Sequence, residues 1–163
     1  MNTLVRSLLI LVLVLLTGCA ALFDTFVGTE DPQAVSSSEE IIMSANADVE
    51  FVRAVQTGET TWTFHVTVRH PDTGWEDYAD GWDVVLPDGT VVNPDPSNPF
   101  TRLLLHPHET EQPFTRSQSN ITIPADVTEV TVRAHDRVDG FGGREVVVDL
   151  GTESGADFSV ERR

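Results

Sequence analysis

The feature that most constrains the fold is a strict alternation of polar and apolar side chains in residues 61–69, which read TWTFHVTVR. Successive side chains of an extended strand point to opposite faces, so this pattern predicts a strand with one buried and one solvent-exposed face. A helix would require apolar residues at spacings of three and four, and no segment shows a convincing stripe of that kind. The chain is therefore predicted to be all-β.

The same alternation recurs later in the chain, for example at Val130, Val132 and Ala134. Turn sequences rich in glycine, proline and aspartate separate the alternating segments. The expected strands lie near residues 49–56, 60–70, 82–87, 90–93, 101–106, 114–123, 128–136 and 144–150, with a further short strand near 157–161. Seven to eight short antiparallel strands joined by polar turns predict a β-sandwich of immunoglobulin or fibronectin type, and a jelly roll or an open barrel is the alternative.

The first residues have the organisation of an export signal. A positive charge at Arg6 precedes an apolar run from Leu8 to Leu16, which is shorter than the roughly 20 residues that span a bilayer. The run ends in LTGC, and small residues before a cysteine at this place resemble the lipobox of bacterial lipoproteins. We therefore expect a lipoprotein signal peptide at 1–18 and acyl chains on Cys19. The alternatives are an ordinary signal peptide with a chance cysteine and an uncleaved anchor.

The sequence after Cys19 predicts a tether followed by one domain. Residues 19–44 soon become rich in Gly, Thr, Pro, Ser and acidic residues, which favours a flexible segment with a reach of roughly 25–30 Å. Residues 45–163 have the size of a single β-sandwich domain. The expected location is the cell envelope, with the protein anchored in a membrane on its periplasmic or extracellular side.

The charge of the chain limits its partners. The formal net charge is −16, and all ten basic residues are arginines. Such a surface repels nucleic acid and anionic lipid head groups, so no nucleic-acid partner is expected and membrane attachment depends on the acyl chains. Cys19 is the only cysteine, and its acylation leaves neither a disulfide nor a cysteine nucleophile.

A histidine-containing stretch, LLLHPHETEQPFTRS at 103–117, is the first candidate site. Residues i and i+2 of a strand point the same way, so His106 and His108 are expected to face outward together while Leu103 and Leu105 face the core. Two imidazoles on one face can hold a metal ion. The alternative is a solvated strand end that binds no metal.

A metal site at this strand end needs a third protein ligand. Glu109, Glu111, His70 and His135 are the candidates for that position. Two imidazoles with a carboxylate suit zinc or copper(II) better than calcium. The first expectation is nevertheless that the protein has no cofactor, with zinc or copper as the alternative.

The connection between the second and third predicted strands is the second candidate site. It interleaves aromatic and acidic residues, and the candidate binding residues are Trp75, Asp77, Tyr78, Asp80 and Trp82. Aromatic rings stack on sugars or grip peptides while carboxylates accept hydrogen bonds, and loops on a rigid scaffold commonly carry binding sites. The alternative is a folded loop whose aromatic rings plug one end of the sandwich.

The sequence offers little support for catalysis. His135 and Asp136 are neighbours, but adjacent residues of a strand point to opposite faces. Ser117 and Ser119 lack a nucleophile-elbow motif, and no zinc-protease motif or phosphate-binding loop is present. We therefore expect a non-enzymatic protein, with a small hydrolase as the weakest alternative.

Three blocks of the sequence look familiar together, at 70–89, 103–117 and 132–146. They resemble a family of short exported bacterial proteins that have no assigned activity, so the resemblance implies no functional residues. The sequence as a whole predicts a lipid-anchored, non-enzymatic β-sandwich that binds a protein, peptide or sugar. An envelope metal-binding protein is the alternative.

Overall fold

The computed structural model describes residues 46–163, which form eight β-strands. The strands are β1 (Asp48–Gln56), β2 (Thr61–Arg69), β3 (Ala79–Val85), β4 (Arg102–Leu103), β5 (Phe114–Thr122), β6 (Glu129–Asp136), β7 (Val146–Asp149) and β8 (Phe158–Arg162). Residues 46–163 hold no helix, and therefore none with the length and apolar character needed to cross a membrane. The all-β prediction is confirmed for this part of the chain. The predicted signal peptide, Cys19 and the tether lie outside the described residues.

The strands form two four-stranded sheets. One sheet has the order β5-β2-β1-β8 and the other has the order β4-β3-β6-β7. Pairing is antiparallel throughout except between β1 and β8, which run parallel. The predicted antiparallel pairing does not hold at this edge, where the chain has moved from the second sheet to the first and β8 pairs with β1 in parallel.

Both sheets contribute to one hydrophobic core. As the alternation predicted, Trp62, Phe64, Val66 and Val68 of β2 are buried, and the residues between them are partly exposed. Trp82 of β3 joins the same cluster from the other sheet and is fully buried. Full burial of a side chain such as Phe64 stabilises the fold by roughly 1.5–3 kcal/mol relative to leaving it in water.

Two short predicted strands differ in the structure. The segment 90–93 contributes only a single bridge between Val85 and Val91. This bridge closes the predicted turn at 87–90, in which Gly89 has the left-handed φ of 86° that favours glycine. The pattern therefore located the turn correctly but overestimated the strand that follows it.

The predicted strand 101–106 is reduced to Arg102–Leu103. Leu104 is buried and Leu105 is 70% exposed, so the predicted inward orientation of Leu105 is wrong. Paired residues end at Leu103, and the last hydrogen bond to β3 runs from the Leu104 N–H to the carbonyl of Asp80, at 2.8 Å. Because the extended pairing ends there, the two-residue alternation no longer determines which side chains face the core.

Three connections meet at one end of the domain. We call this region the loop end, and it comprises residues 70–78, 104–113 and 137–145. The Arg137 N–H donates to the carbonyl of Tyr78, at 3.2 Å, which joins the first connection to the third. The His70 N–H donates to Oε1 of Gln112, at 3.0 Å, which joins the first to the second.

The start of β1 also packs against the loop end. The Arg144 N–H donates to Oδ1 of Asp48, at 2.6 Å, and the Val49 N–H donates to the Arg144 carbonyl, at 2.8 Å. A Cβ atom on Gly143 would lie 2.1 Å from the carbonyl oxygen of Ala47, so this close approach requires glycine.

Candidate functional site

A buried histidine lies at the centre of the loop end. His70 directly follows β2 and takes the next inward position after Val68, so its side chain is fully buried. Its Nδ1 is hydrogen-bonded to Oδ1 of Asp72, at 2.6 Å, and its Nε2 lies 3.6 Å from Oδ1 of Asp77. An imidazole is therefore placed between two carboxylates that both come from the β2–β3 connection.

Asp72 organises this part of the loop end. In addition to His70, its carboxylate accepts hydrogen bonds from the backbone N–H groups of Ala79, at 3.1 Å, and His108, at 2.6 Å. The side chain of Asp72 is fully buried. One carboxylate thus holds the end of β2, the start of β3 and the β4–β5 connection together.

These contacts shift the ionisation of both groups. Burial lowers the pKa of His70, but its hydrogen bond with Asp72 and the charges of Asp72, Asp136 and Asp77 outweigh burial, and the net shift is upward. Burial raises the pKa of Asp72, but its bonds with His70 and with two backbone N–H groups outweigh burial, and the net shift is downward. Both directions favour an ionised Asp72.

Asp136 brings a third carboxylate to His70 from a distant part of the chain. It is the last residue of β6 and is fully buried. Its Oδ1 accepts hydrogen bonds from the N–H groups of Val138, at 2.9 Å, and Asp139, at 2.6 Å. Its Oδ2 is buried without a hydrogen-bond partner. One donor atom from each of His70, Asp77 and Asp136 lies within 4.8 Å of the other two.

His108 is buried rather than displayed. Its ring stacks on Phe114 with 3.7 Å between ring centroids, and only 2% of the residue is exposed. Burial lowers the pKa of His108, and the charges of Arg116 and His106 act in the same direction. The ring is therefore a buried packing group, and the prediction that His108 faces solvent together with His106 is wrong.

The predicted metal ligands are only partly gathered. His106 is exposed, its Nδ1 contacts the carbonyl of Pro107, and its ring lies 4.5 Å from that of His108. Glu109 is exposed beside Gly74, and His135 pairs with another residue. Of the predicted set, His70 alone belongs to the group of donor atoms that the described residues bring together.

The predicted aromatic loop divides into exposed and buried residues. Trp75 is 61% exposed, whereas Tyr78 is buried beneath it, with the two rings edge to face and 5.9 Å apart. Trp82 lies on β3 and points into the hydrophobic core, so it is not available at the surface as a binding residue. Asp77 is partly exposed and faces His70. The loop therefore combines one exposed aromatic side chain with one that plugs the end of the domain.

Asp80 forms a second histidine–aspartate pair. Its Oδ1 lies 2.6 Å from Nδ1 of His135, and both side chains are partly exposed. The rings of Phe100 and Phe141 pack on His135 at 4.9 and 4.7 Å. As predicted, His135 and Asp136 point to opposite faces, so the two histidine–aspartate groups are separate.

Sequence reasoning missed the part that Asp136 plays at this site. Asp136 lies 66 positions after His70, and no local pattern indicates that the two meet. The available signal was its place at the end of β6, directly before the RVDG turn, on the inward parity of Val132 and Ala134. A carboxylate at a predicted inward position is unusual and needs a partner.

One comparison with known proteins gives a match. No protein-family model and no solved structure matches the chain. The chain is 40% identical over 116 residues to a protein of Halomicrobium mukohataei that bears the name "Putative lipoprotein". The match covers 71% of this chain and 52% of that protein, so the chain spans about half the length of its relative. The chain is thus similar to a protein whose name states a lipoprotein assignment and no activity.

Proposed function

We propose that this protein is a lipid-anchored, non-enzymatic recognition domain whose loop end contacts a partner. The observation that carries the proposal is the distribution of exposed apolar side chains. Of the six large hydrophobic residues exposed within 46–163, four lie at the loop end, and these are Trp75, Leu105, Val138 and Phe141. Exposed apolar side chains on the connections at one end of a domain suit an interaction site.

Anchoring at Cys19 is supported by two independent observations. The sequence LTGC follows an apolar run of signal-peptide length. The relative from Halomicrobium mukohataei is named as a lipoprotein, and the aligned region covers 71% of this chain. We therefore place the domain at the surface of an envelope membrane, held by acyl chains on Cys19.

The strand order supports an immunoglobulin-like sandwich as the scaffold. In that fold the second strand pairs with the fifth and the third with the sixth, and the sixth pairs with the seventh. The orders β5-β2-β1 and β4-β3-β6-β7 have these same neighbours, and β8 is an addition at the edge of the first sheet. The β2–β3 and β6–β7 connections then correspond to loops that carry the binding sites of immunoglobulin variable domains.

The loop end is well suited to recognition because its exposed aromatic residue stands on an ordered base. Trp75 packs edge to face on buried Tyr78, and the Arg137 guanidinium lies 5.6 Å from the Tyr78 ring. Asp72 holds both ends of the connection by hydrogen bonds. A tryptophan that is already positioned loses little conformational entropy on binding and makes a good anchor for a protein, peptide or sugar.

The two other functions gain less support. A metal site at His106 and His108 is disfavoured, because His108 is stacked on Phe114 and His106 is exposed. For a hydrolase, Ser119 accepts a hydrogen bond from the Thr63 hydroxyl, at 3.1 Å, on the polar face of the first sheet. The hydrogen-bond partner that the structure shows for the Ser119 hydroxyl is thus another hydroxyl and not a base.

Photo-crosslinking tests the recognition surface. We expect a benzoylphenylalanine placed at Trp75 to form a discrete crosslinked product in membranes of the source cell, because this position faces the partner. The matched control is the same probe at Val147, which is 50% exposed on β7. Equal yields at the two positions, or no product from Trp75, would contradict a recognition role for the loop end.

A further inference from the structure

The loop end gathers three carboxylates around one histidine, and two of them, Asp72 and Asp136, are buried. Asp72, Asp77 and Asp136 surround a single imidazole, that of His70. Even a protonated histidine leaves three carboxylates facing one positive charge. Buried carboxylates are costly unless they are paired or bind a cation.

Asp136 supplies an independent sign that a ligand is missing from this network. The residue is fully buried, and its Oδ2 has no hydrogen-bond partner while Oδ1 already accepts two N–H groups. An unsatisfied buried carboxylate oxygen costs folding energy unless a cation or a donor meets it. The Asp136 carboxylate belongs to the group of three donors that lie within 4.8 Å of one another.

The contacts that hold the His70 ring resemble those that hold a histidine ligand in a metal centre. Histidines that bind metals commonly donate their second ring N–H to a carboxylate, which fixes the tautomer and the orientation of the ring. His70 makes this contact through Nδ1 with Asp72, and backbone N–H groups hold Asp72 in turn. Nε2 is thereby the ring atom directed at Asp77.

The distances between the donor atoms are close to those between the ligand atoms of a bound metal ion. Two ligands about 2.1 Å from a tetrahedral zinc ion lie roughly 3.4 Å apart. The distance from His70 Nε2 to Asp77 Oδ1 is 3.6 Å, and all three donors lie within 4.8 Å of one another. The His70–Asp77 distance is therefore about 0.2 Å longer than the tetrahedral spacing.

We infer that His70, Asp77 and Asp136 form a binding site for one divalent first-row transition-metal ion, with Asp72 orienting His70. An imidazole in the ligand set favours zinc, iron or copper over calcium and magnesium, which take oxygen ligands. Asp77 is partly exposed and gives the ion a route to solvent. The ion would join the β2–β3 connection to the end of β6.

Calorimetric titration with Zn²⁺ tests this site in the full chain, kept in detergent and carrying Cys19→Ser so that the thiol binds no metal. We expect one Zn²⁺ per chain and a rise in Tm on binding, since a ligand that binds only the folded state stabilises it. Asp77→Asn and Asp136→Asn should each weaken binding by at least roughly 10–100-fold. Asp77 is the more informative position, because it is partly exposed and its substitution should leave the fold intact.

The matched control is the double variant His106→Ala/Glu109→Ala, which removes two exposed residues of the site that the sequence predicted. It should bind Zn²⁺ as tightly as the unaltered chain. The inference is overturned if the unaltered chain takes up no Zn²⁺, if Asp77→Asn binds it equally well, or if the control abolishes binding. Equally tight Ca²⁺ binding at the same residues would overturn the assignment to a transition metal.

Discussion

Trp82→Ala is expected to lower the free energy of unfolding by about 3–5 kcal/mol, because it removes a fully buried indole and leaves a cavity in the core. Trp82 stands on β3 within the single core cluster to which both sheets contribute. A loss of this size is a large part of the 5–15 kcal/mol that typically separates folded from unfolded states. Denaturant titration followed by circular dichroism measures it.

Two variants give this prediction its controls. Trp75→Ala should change stability by less than about 0.5 kcal/mol, because Trp75 is mostly exposed. Trp82→Phe should cost less than Trp82→Ala, since it keeps an apolar ring and removes an indole N–H that has no partner. Equal losses for Trp75→Ala and Trp82→Ala would contradict the division of the predicted aromatic cluster into exposed and buried parts.

Asp72→Ala is expected to destabilise the domain by roughly 3–5 kcal/mol, since it removes the carboxylate that is hydrogen-bonded to a buried imidazole. It also removes the acceptor for the N–H groups of Ala79 and His108. The β2–β3 and β4–β5 connections of the loop end should loosen together. Hydrogen exchange of the amides in the loop end, read against those of β1 and β2, would show the local part of the effect.

The control for Asp72 is Asp80→Ala, which breaks the other histidine–aspartate pair. The two pairs have the same 2.6 Å separation, but Asp80 and His135 are partly exposed. Loss of a pair near the surface should cost only about 1 kcal/mol. A cost for Asp72→Ala no greater than that for Asp80→Ala would show that burial does not make the first pair the stronger support.

The sequence was most informative where strands are long and one face is buried. The alternation in 61–69 identified β2 and its inward residues, and the glycine-containing turn at 87–90 was located correctly. It was least informative around Arg102–Leu103. This strand is so short that the alternation of side chains does not predict which of the following residues face the core. The burial of His108 follows from stacking on Phe114, a contact that depends on how the chain turns between β4 and β5.

The candidate site could be predicted only in part, because its members come from different connections. Trp75 and Asp77 could be identified from their loop, and His70 from its place in the sequence between β2 and that loop. The meeting of His70 with Asp136 depends on the packing of β6 and the end of β2, which no local pattern encodes. The alternation along β6 indicated that Asp136 points inward, but it could not identify His70 as the residue that Asp136 faces.

Mass spectrometry of the N-terminal peptide, from protein purified out of the membranes of the source cell, tests display on a lipid anchor most directly. We predict a peptide that begins at Cys19 and carries the added mass of acyl chains, because cleavage before this residue exposes it for acylation. A mature protein that begins elsewhere, or a Cys19 with an unmodified thiol, would contradict the proposal.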